Sequence, residues 1–166
     1  MRRIPEALSR RLLKAAKGPM NASRSAQAVT VLDRPVQYGD FSSLDGHNHV
    51  LLVTYKRDGT PIPSPVWFAR DGEQVYVWTE VNAFKAKRIR NDPRALLAVC
   101  SPLGVPEGDP IAAMGRVLVD EAERKRAAKV IRSHWGLGRR IFEVMSRPLT
   151  EVHYLAFLPA GPQPLP

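Results

Sequence analysis

Short runs of Val, Ile, Leu and aromatic residues alternate with turn-forming dipeptides between residues 49 and 81. The runs are HVLLVTYK (49–56), PIPSPVWFAR (61–70) and EQVYVWTEV (73–81). Asp58-Gly59 and Asp71-Gly72 separate them, and Asp-Gly pairs favour the tight turns of β-hairpins. The pattern therefore predicts a three-stranded antiparallel meander.

The second and third of these runs carry further information about pairing and faces. Pro61, Pro63 and Pro65 cannot donate backbone hydrogen bonds, so the second strand is predicted to be an edge strand or an interrupted strand with open backbone. Side chains alternate between the two faces of a strand. The third run therefore has two predicted faces, with Val75, Val77 and Thr79 on one and Tyr76 and Trp78 on the other.

The basic stretch that follows the meander predicts a short helix. Asn82 is a favourable N-cap residue, and Ala83-Phe84-Lys85 would form the first turn. Asp92-Pro93 would end the helix, because the residue before a proline avoids helical backbone angles.

The rest of the chain predicts three more strands and a long helix. The strands are residues 94–101, 111–120 and 152–160. Asp120-Glu121-Ala122-Glu123 has the form of a capping box that begins the helix. The apolar face of the helix consists of Ala127, Val130, Ile131 and Trp135. Gly136-Leu137-Gly138 should break it, and a second helical segment should reach about Arg147.

These elements indicate the α+β class, with an antiparallel sheet of about six strands and helices at its ends. A sheet of this kind commonly closes into a barrel. The predicted domain covers residues 45–160. Residues 1–44 are expected to form a basic leader with a short amphipathic helix at 5–17, a linker and a helical turn near Phe41–Leu44. Residues 161–166 are expected to form a Pro-rich tail.

The net charge of +9 would favour an anionic partner such as a nucleic acid, but the distribution of this charge along the chain weakens that indication. Residues 1–40 carry eight Lys or Arg against three Asp or Glu, so more than half of the excess lies in the leader. The leader lacks interleaved aromatic residues, so we expect no nucleic-acid partner, with binding through the leader as the alternative. Contact of the 5–17 helix with a membrane surface is a further alternative, and packing across its own domain is favoured. The single cysteine, Cys100, lies in an apolar run, which indicates a buried thiol and a reducing, cytoplasmic setting.

The sequence contains no familiar catalytic motif. Gly136-Leu137-Gly138 lacks the third glycine of a dinucleotide fingerprint, and there is no P-loop, nucleophile elbow or cysteine-based zinc spacing. His47 and His49 could share a strand face as a metal pair, but no third ligand is nearby. His134 and His153 are isolated in sequence, and nothing marks either as a base. We therefore name no catalytic and no metal-binding residue.

The basic helix has two interpretations. A charge run is most often a solvated face. This helix follows a strand, however, so the free N–H groups and the helix dipole at Ala83–Lys85 would favour an anion. Lys85 and Arg88 are three positions apart and share a side of the helix, and the Thr79 hydroxyl would lie near them. The combination fits a phosphate, and both interpretations stay open on these grounds.

Residues 51–100 resemble the pyridoxamine-phosphate-oxidase-like split β-barrel flavoproteins, and are most similar to the branch of probable coenzyme F420-dependent enzymes. The segments that carry the resemblance are DGTPIPSPVWF (58–68), YVWTE (76–80) and KAKRIRNDPR (85–94). With the later GRVLVD run and the long helix, the resemblance covers about residues 45–158.

The resemblance implies a homodimer of six-stranded split β-barrels, the FMN-binding split barrel, with cofactor sites at the dimer interface. The second strand would lie along the isoalloxazine-type ring through Ser64, Pro65, Val66 and Trp67. The phosphate would be held by Thr79, Lys85, Lys87 and Arg88.

The cofactor implied by the resemblance is coenzyme F420, with FMN as the alternative. F420 carries a phosphate and a tail of glutamates, which suits the cations of the 85–90 stretch. The expected function is hydride transfer between reduced F420 and a small conjugated organic substrate. Alternatives are an FMN-dependent oxidoreductase, a cofactor-sequestering protein without turnover, and the nucleic-acid binder described above.

Overall fold

The computed structural model describes residues 26–146 and 152–162, and describes side chains through residue 136 and again from residue 152. Within these residues the chain forms six strands and two complete α-helices, and residues 26–28 are also helical. In chain order they are β1 (His49–Tyr55), β2 (Pro61–Asp71), β3 (Gln74–Glu80), α1 (Phe84–Asn91), β4 (Arg94–Val99), β5 (Ile111–Val117), α2 (Glu121–Ser146) and β6 (Val152–Pro159). Two short 3-10 helices, Val29–Asp33 and Ser42–Leu44, precede β1. The predicted helix at 5–17 lies outside the described residues.

The six strands form a closed barrel in the order β1-β2-β3-β6-β5-β4, with every pair antiparallel. The predicted α+β class and six-stranded barrel are therefore confirmed. Alternate residues of each strand fill the interior. The largest fully buried side chains inside are Phe41, Phe68, Phe157, Leu44, Leu52, Leu97 and Leu155. As predicted, Val75 and Val77 point inward, and Tyr76 points outward beneath α2.

Helix α1 crosses one end of the barrel and closes it. Ala86 and Ile89 of α1 belong to the interior cluster. Gly115 of β5 gives them room, because a Cβ there would meet Ile89 Cδ1 at 3.3 Å and Phe157 Cδ1 at 2.7 Å. The absence of a side chain at Gly115 thus allows the helix and the Phe157 ring to share the same end of the barrel.

Two outer faces of the barrel are covered by other parts of the chain. The 3-10 helix at 29–33 covers the β1–β4 face, where Ala28 and Val31 pack with Leu51 and Cys100. Part of the predicted linker is thus packed on the barrel. Burial raises the pKa of the Cys100 thiol to about 12, as suits the predicted buried cysteine.

Helix α2 covers the face formed by β2, β3 and β6. Its start is the predicted one, since Asp120 Oδ1 accepts a hydrogen bond from the Glu123 backbone N–H at 2.9 Å. The Glu123 side chain binds Arg116 of β5 instead of completing a capping box. The predicted break occurs at Gly136, whose φ of 54° and ψ of −140° are not helical.

The N-cap of α1 and the ends of β4 and β5 differ from the sequence-based boundaries for physical reasons, and the other strand ends differ by one residue. The N-cap of α1 is Ala83 and not Asn82, because the Ala83 N–H donates to the Glu80 carbonyl at 2.9 Å and thus places Asn82 inside a turn. Strand β4 ends at Val99 because Cys100 only bridges to Pro106. Strand β5 ends at Val117, three residues before Asp120, which caps α2.

No helix among the described residues is both long and apolar enough to cross a membrane.

Substitution of Gly115 by alanine should destabilise the barrel by about 1–3 kcal/mol, the usual penalty for an extra methyl group in a packed core. The free energy of unfolding from urea titration measures this change. Gly161→Ala is the matched control, because a Cβ at Gly161 meets nothing within 4 Å. Equal stability of the two variants would contradict the role assigned to Gly115.

Candidate functional site

Strand β2 changes partners halfway along its length. Residues 61–67 pair with β1, and residues 68–71 pair with β3. Strand β3 changes in the same way, because its residues 78–80 pair with β6 but not with β2. The barrel is therefore split between the first half of β2 and the last part of β3.

The three prolines of β2 explain where the split begins. Backbone groups of alternate residues point to opposite edges of a strand, and a proline has no N–H to donate. The β1–β2 ladder continues past Pro61, Pro63 and Pro65. Their imino nitrogens therefore point away from β1, to the edge of β2 that faces β3. If the β2–β3 register continued, Pro65 would lie opposite Glu80 and could not complete the bonded pair. Of the two predicted alternatives, the structure has the interrupted strand, whose backbone is open toward β3 along its first half.

The predicted ring-binding residues divide between the two faces of this open half. Val66 lies in the core, whereas Trp67 lies on the outer face. The Trp67 ring stacks on Trp135 of α2 at 4.8 Å between centroids and contacts Trp78 across the split at 6.2 Å. Ser64 and Pro65 are partly buried. Trp67 therefore has packing partners from its own chain.

Two buried hydroxyl groups lie at the end of the barrel that α1 closes. Thr54 and Thr79 are the buried polar residues among those described, at 0% and 6% exposure. Thr54 and Thr79 are the next-to-last residues of β1 and β3, and both strands run toward α1. Continuing the β2–β3 register would place Thr79 opposite Val66, on the same split as the predicted ring-binding residues.

Arg88 of α1 places a positive charge at this end of the barrel. Its Nη1 donates a hydrogen bond to Thr54 Oγ1 at 3.2 Å. Desolvation by burial lowers the pKa of the Arg88 guanidinium, which nevertheless stays charged because its ordinary value is so high. Phe84 lies 6.0 Å from the guanidinium carbon, measured to the ring centroid. The other two predicted phosphate-binding residues of α1 differ in exposure to solvent: Lys85 is partly buried and Lys87 is exposed.

The sequence interpretation missed Thr54 and His153. His153 of β6 pairs with Thr79 in the β3–β6 ladder, so their side chains share a face. Its Nε2 lies 3.3 Å from Arg90 Nη2 on α1. His153, which is isolated in sequence, is therefore not isolated in the folded chain. Only the pairing of β3 with β6 brings it to α1, and no local signal could have done so.

Within the described ranges, no three His, Cys, Asp or Glu side chains are grouped closely enough to hold a metal ion. His49 instead packs edge-on against Trp67, with 6.1 Å between ring centroids. His134 lies next to Asn48, with its Nε2 3.2 Å from the amide oxygen.

Thr54→Val should destabilise the protein by about 1–2 kcal/mol, because the partly buried Arg88 donor loses its acceptor. Thr54→Ser, which keeps the hydroxyl, serves as the comparison and should retain the position of Arg88. The readouts are the free energy of unfolding and the Nη–Hη NMR signals of Arg88, the group that donates to Thr54. An unchanged Arg88 signal in Thr54→Val would contradict the contact.

Three solved structures have the same fold. HutZ, a heme storage protein from Vibrio cholerae, is 16% identical, with a TM-score of 0.53 over 70% of this chain and 84% of its own. A Clostridium acetobutylicum protein related to general stress protein 26 is 13% identical, with a TM-score of 0.52 over 80% and 84%. A conserved hypothetical protein from Mycobacterium tuberculosis is 13% identical, with a TM-score of 0.51 over 70% and 75%. Likeness at such low identity shows the fold alone.

A search of curated proteins gave no match. The sequence profile of the pyridoxamine 5'-phosphate oxidase family matches residues 41–152, which include the whole split, α1 and both buried threonines. This match covers more than half of the chain and agrees with the split barrel. The chain therefore belongs to the pyridoxamine 5'-phosphate oxidase family.

Proposed function

We propose that this protein is an oxidoreductase that binds coenzyme F420 at the split, with the phosphate of the cofactor at the start of α1. The observation that carries the proposal is the Arg88 guanidinium, held at the mouth of the barrel by its 3.2 Å hydrogen bond to Thr54. A guanidinium has five N–H donors, and this bond uses one of them. The remaining donors are suited to phosphate oxygens.

The start of α1 fits an anion for a second reason. No side chain caps the helix, and its first turn contains no acidic residue. Helix starts usually carry a capping side chain or a carboxylate, because the first N–H groups are unsatisfied and the dipole is positive there. Here the first turn carries Lys85 instead, which adds positive charge. An external phosphate would satisfy the N–H groups and offset both charges.

The choice of F420 over FMN rests on the number of cations. Arg88 and Lys85 are sufficient for the single phosphate of FMN, whereas Lys87 and Arg90 add two exposed cations to the same helix. The glutamate tail of F420 supplies additional carboxylates for such cations. FMN remains the alternative, and it is supported by the membership in a family named for pyridoxamine 5'-phosphate oxidase.

When bound, the deazaflavin ring supplies hydride transfer to or from a small conjugated substrate. The chain's own residues bind and orient the ring. The open edge of β2 presents carbonyl groups without N–H groups at Pro63 and Pro65, and these can accept hydrogen bonds from a ring N–H. Trp67 and Trp78 line the outer side of the split and exclude water from it.

A homodimer is part of the proposal, because apolar side chains beside the split are exposed. Phe84, at the start of α1, is 67% exposed, and Leu103 is 59% exposed. Leu103 neighbours Gly104, whose Cβ position lies 3.2 Å from Pro65 Cγ. A second subunit would cover these side chains. Sedimentation equilibrium should give the mass of two chains, and a monomer at micromolar concentration would contradict the dimer.

The proposal is tested by fluorescence titration of the protein with coenzyme F420 and with FMN. Lys85→Ala/Arg88→Ala should weaken F420 binding by about 1.5–3 kcal/mol, the usual value of a hydrogen bond to a charged group. The matched control is Lys129→Ala/Arg132→Ala, which removes two exposed cations from α2. Equal affinities of the two variants would overturn the phosphate site.

The same titrations separate the alternatives. Tighter binding of FMN than of F420 would assign the protein to flavin chemistry. Binding of F420 without turnover of any conjugated substrate would indicate a sequestering protein.

A further inference from the structure

A groove of about 380 Å³ lies where residues 34–40 cross the loop between β4 and β5. Two hydrogen bonds hold its two walls together. The Gln37 N–H donates to the Pro110 carbonyl at 2.7 Å, and Arg34 Nη2 donates to the Pro106 carbonyl at 3.1 Å. The groove is therefore formed by segments that are tied to each other in the fold.

The groove combines apolar side chains with carboxylates. Tyr38 lines it together with Val99, the last residue of β4, and Ile111, the first residue of β5. These strand ends lie away from α1, which precedes β4, so the groove is separate from the proposed phosphate site. None of the described Lys or Arg residues lines the groove, and its carboxylates are those of Asp40, Glu107 and Asp109.

Two arginines near the groove offset part of its negative charge. Arg34 Nη1 lies 3.9 Å from Asp109 Oδ1, and Arg70 Nε lies 3.3 Å from Asp45 Oδ1 at the border of the groove. Asp40 forms no ion pair with either arginine.

The charge that remains is negative. Glu107 forms no ion pair with any residue of the described ranges. The carboxylates at the groove and its border are Asp40, Asp45, Glu107 and Asp109, against the arginines Arg34 and Arg70. The carboxylates still outnumber the cations when His47, which also lines the groove, is protonated. The groove therefore attracts a cationic partner and repels a nucleic acid.

Apolar side chains on both walls of the groove are exposed to solvent. Tyr38 is 53% exposed, and Val36 and Val105 are exposed as well. A partner that covers these side chains gains from burying them. The surface therefore fits a segment that brings apolar side chains together with positive charge.

The first 25 residues of this chain have that chemistry. They lie outside the described residues, and they contain seven Lys or Arg against one Glu. The amphipathic helix predicted at 5–17 places Leu8 and Leu12 between its cations.

The described part of the chain begins close to the groove. Ala28 packs with Cys100, the residue that follows Val99. Residues 18–25 join the predicted helix to this point, and eight extended residues span up to about 26–29 Å. The segment can therefore reach the groove of its own chain.

We propose that the groove is the docking site of the chain's own basic segment, residues 1–25. The cations of the segment lie on the carboxylates of the groove, and its leucines cover Tyr38 and Val36. Docking within one chain is favoured over docking from a second copy, because a short tether gives an effective concentration in about the millimolar range.

A nitroxide label at Gly18→Cys tests the docking in the full chain. Cys100 is buried and the pKa of its thiol is about 12, so the label attaches to the new cysteine. The label should broaden the backbone amide NMR signals of Gly39, Gly108 and Asp109 at the groove. The broadening should weaken in high salt, because exposed charges are screened.

Asp40→Asn/Glu107→Gln removes two carboxylates from the groove without changing the size of the side chains. The equilibrium constant for docking should fall roughly two- to thirtyfold, the range for two exposed ion pairs, and the broadening should fall with it. The asparagine keeps the side-chain oxygen that accepts the Ser42 N–H. The matched control is Glu73→Gln/Glu121→Gln, which removes two exposed carboxylates outside the groove and should leave the broadening unchanged.

Three results would overturn the proposal. The first is that the label broadens no signal at the groove, and the second is that the broadening persists in full in the groove variant. The third comes from a mixture of nitroxide-labelled chains and isotope-labelled chains. Broadening of the same size in that mixture would assign the docked segment to a second copy of the chain.

Discussion

The division of β2 between two partner strands is the constraint on which the candidate site depends. The strand hydrogen-bonds to β1 along its first half and to β3 along its second half. Prolines at alternate positions make this division necessary, because the ladder with β3 would need N–H groups that Pro63 and Pro65 lack. A fully paired barrel of this size would be filled by side chains and would have no place for a ligand next to backbone groups.

Helix α1 combines structural and electrostatic roles at the end of this split. Ala86 and Ile89 bury one side of it in the barrel, and this fixes the adjacent, partly buried side, which carries Lys85 and Arg88. The hydrogen bond from Arg88 to Thr54 then sets the direction of one charge. Because a buried hydroxyl holds the guanidinium before any ligand arrives, less side-chain entropy is lost when an anion binds. The packing of α1 against the barrel therefore also positions the side chains with which it could bind an anion.

Much of the fold was predictable, because its signals are local. Alternating apolar residues, two Asp-Gly turns and the cap at Asp120 fix the strands and the start of α2. The three prolines also predicted open backbone in β2. The N-cap of α1 was not predictable from residue preference, since the turn closed by Glu80 and Ala83 shifted the helix past Asn82. Tertiary contacts outweighed a weak local preference there.

The sequence by itself determined the strand pattern, the open edge along the first half of β2 and the presence of a cationic helix after β3. It also carried the match that assigns the chain to the pyridoxamine 5'-phosphate oxidase family. Only the tertiary structure decided which cation meets a buried acceptor, that His153 lies beside Arg90, and that residues 34–40 and the loop between β4 and β5 form one groove. The physical reason is that these contacts join residues far apart in the chain. Closure of the barrel brings them together, and no local pattern encodes that closure.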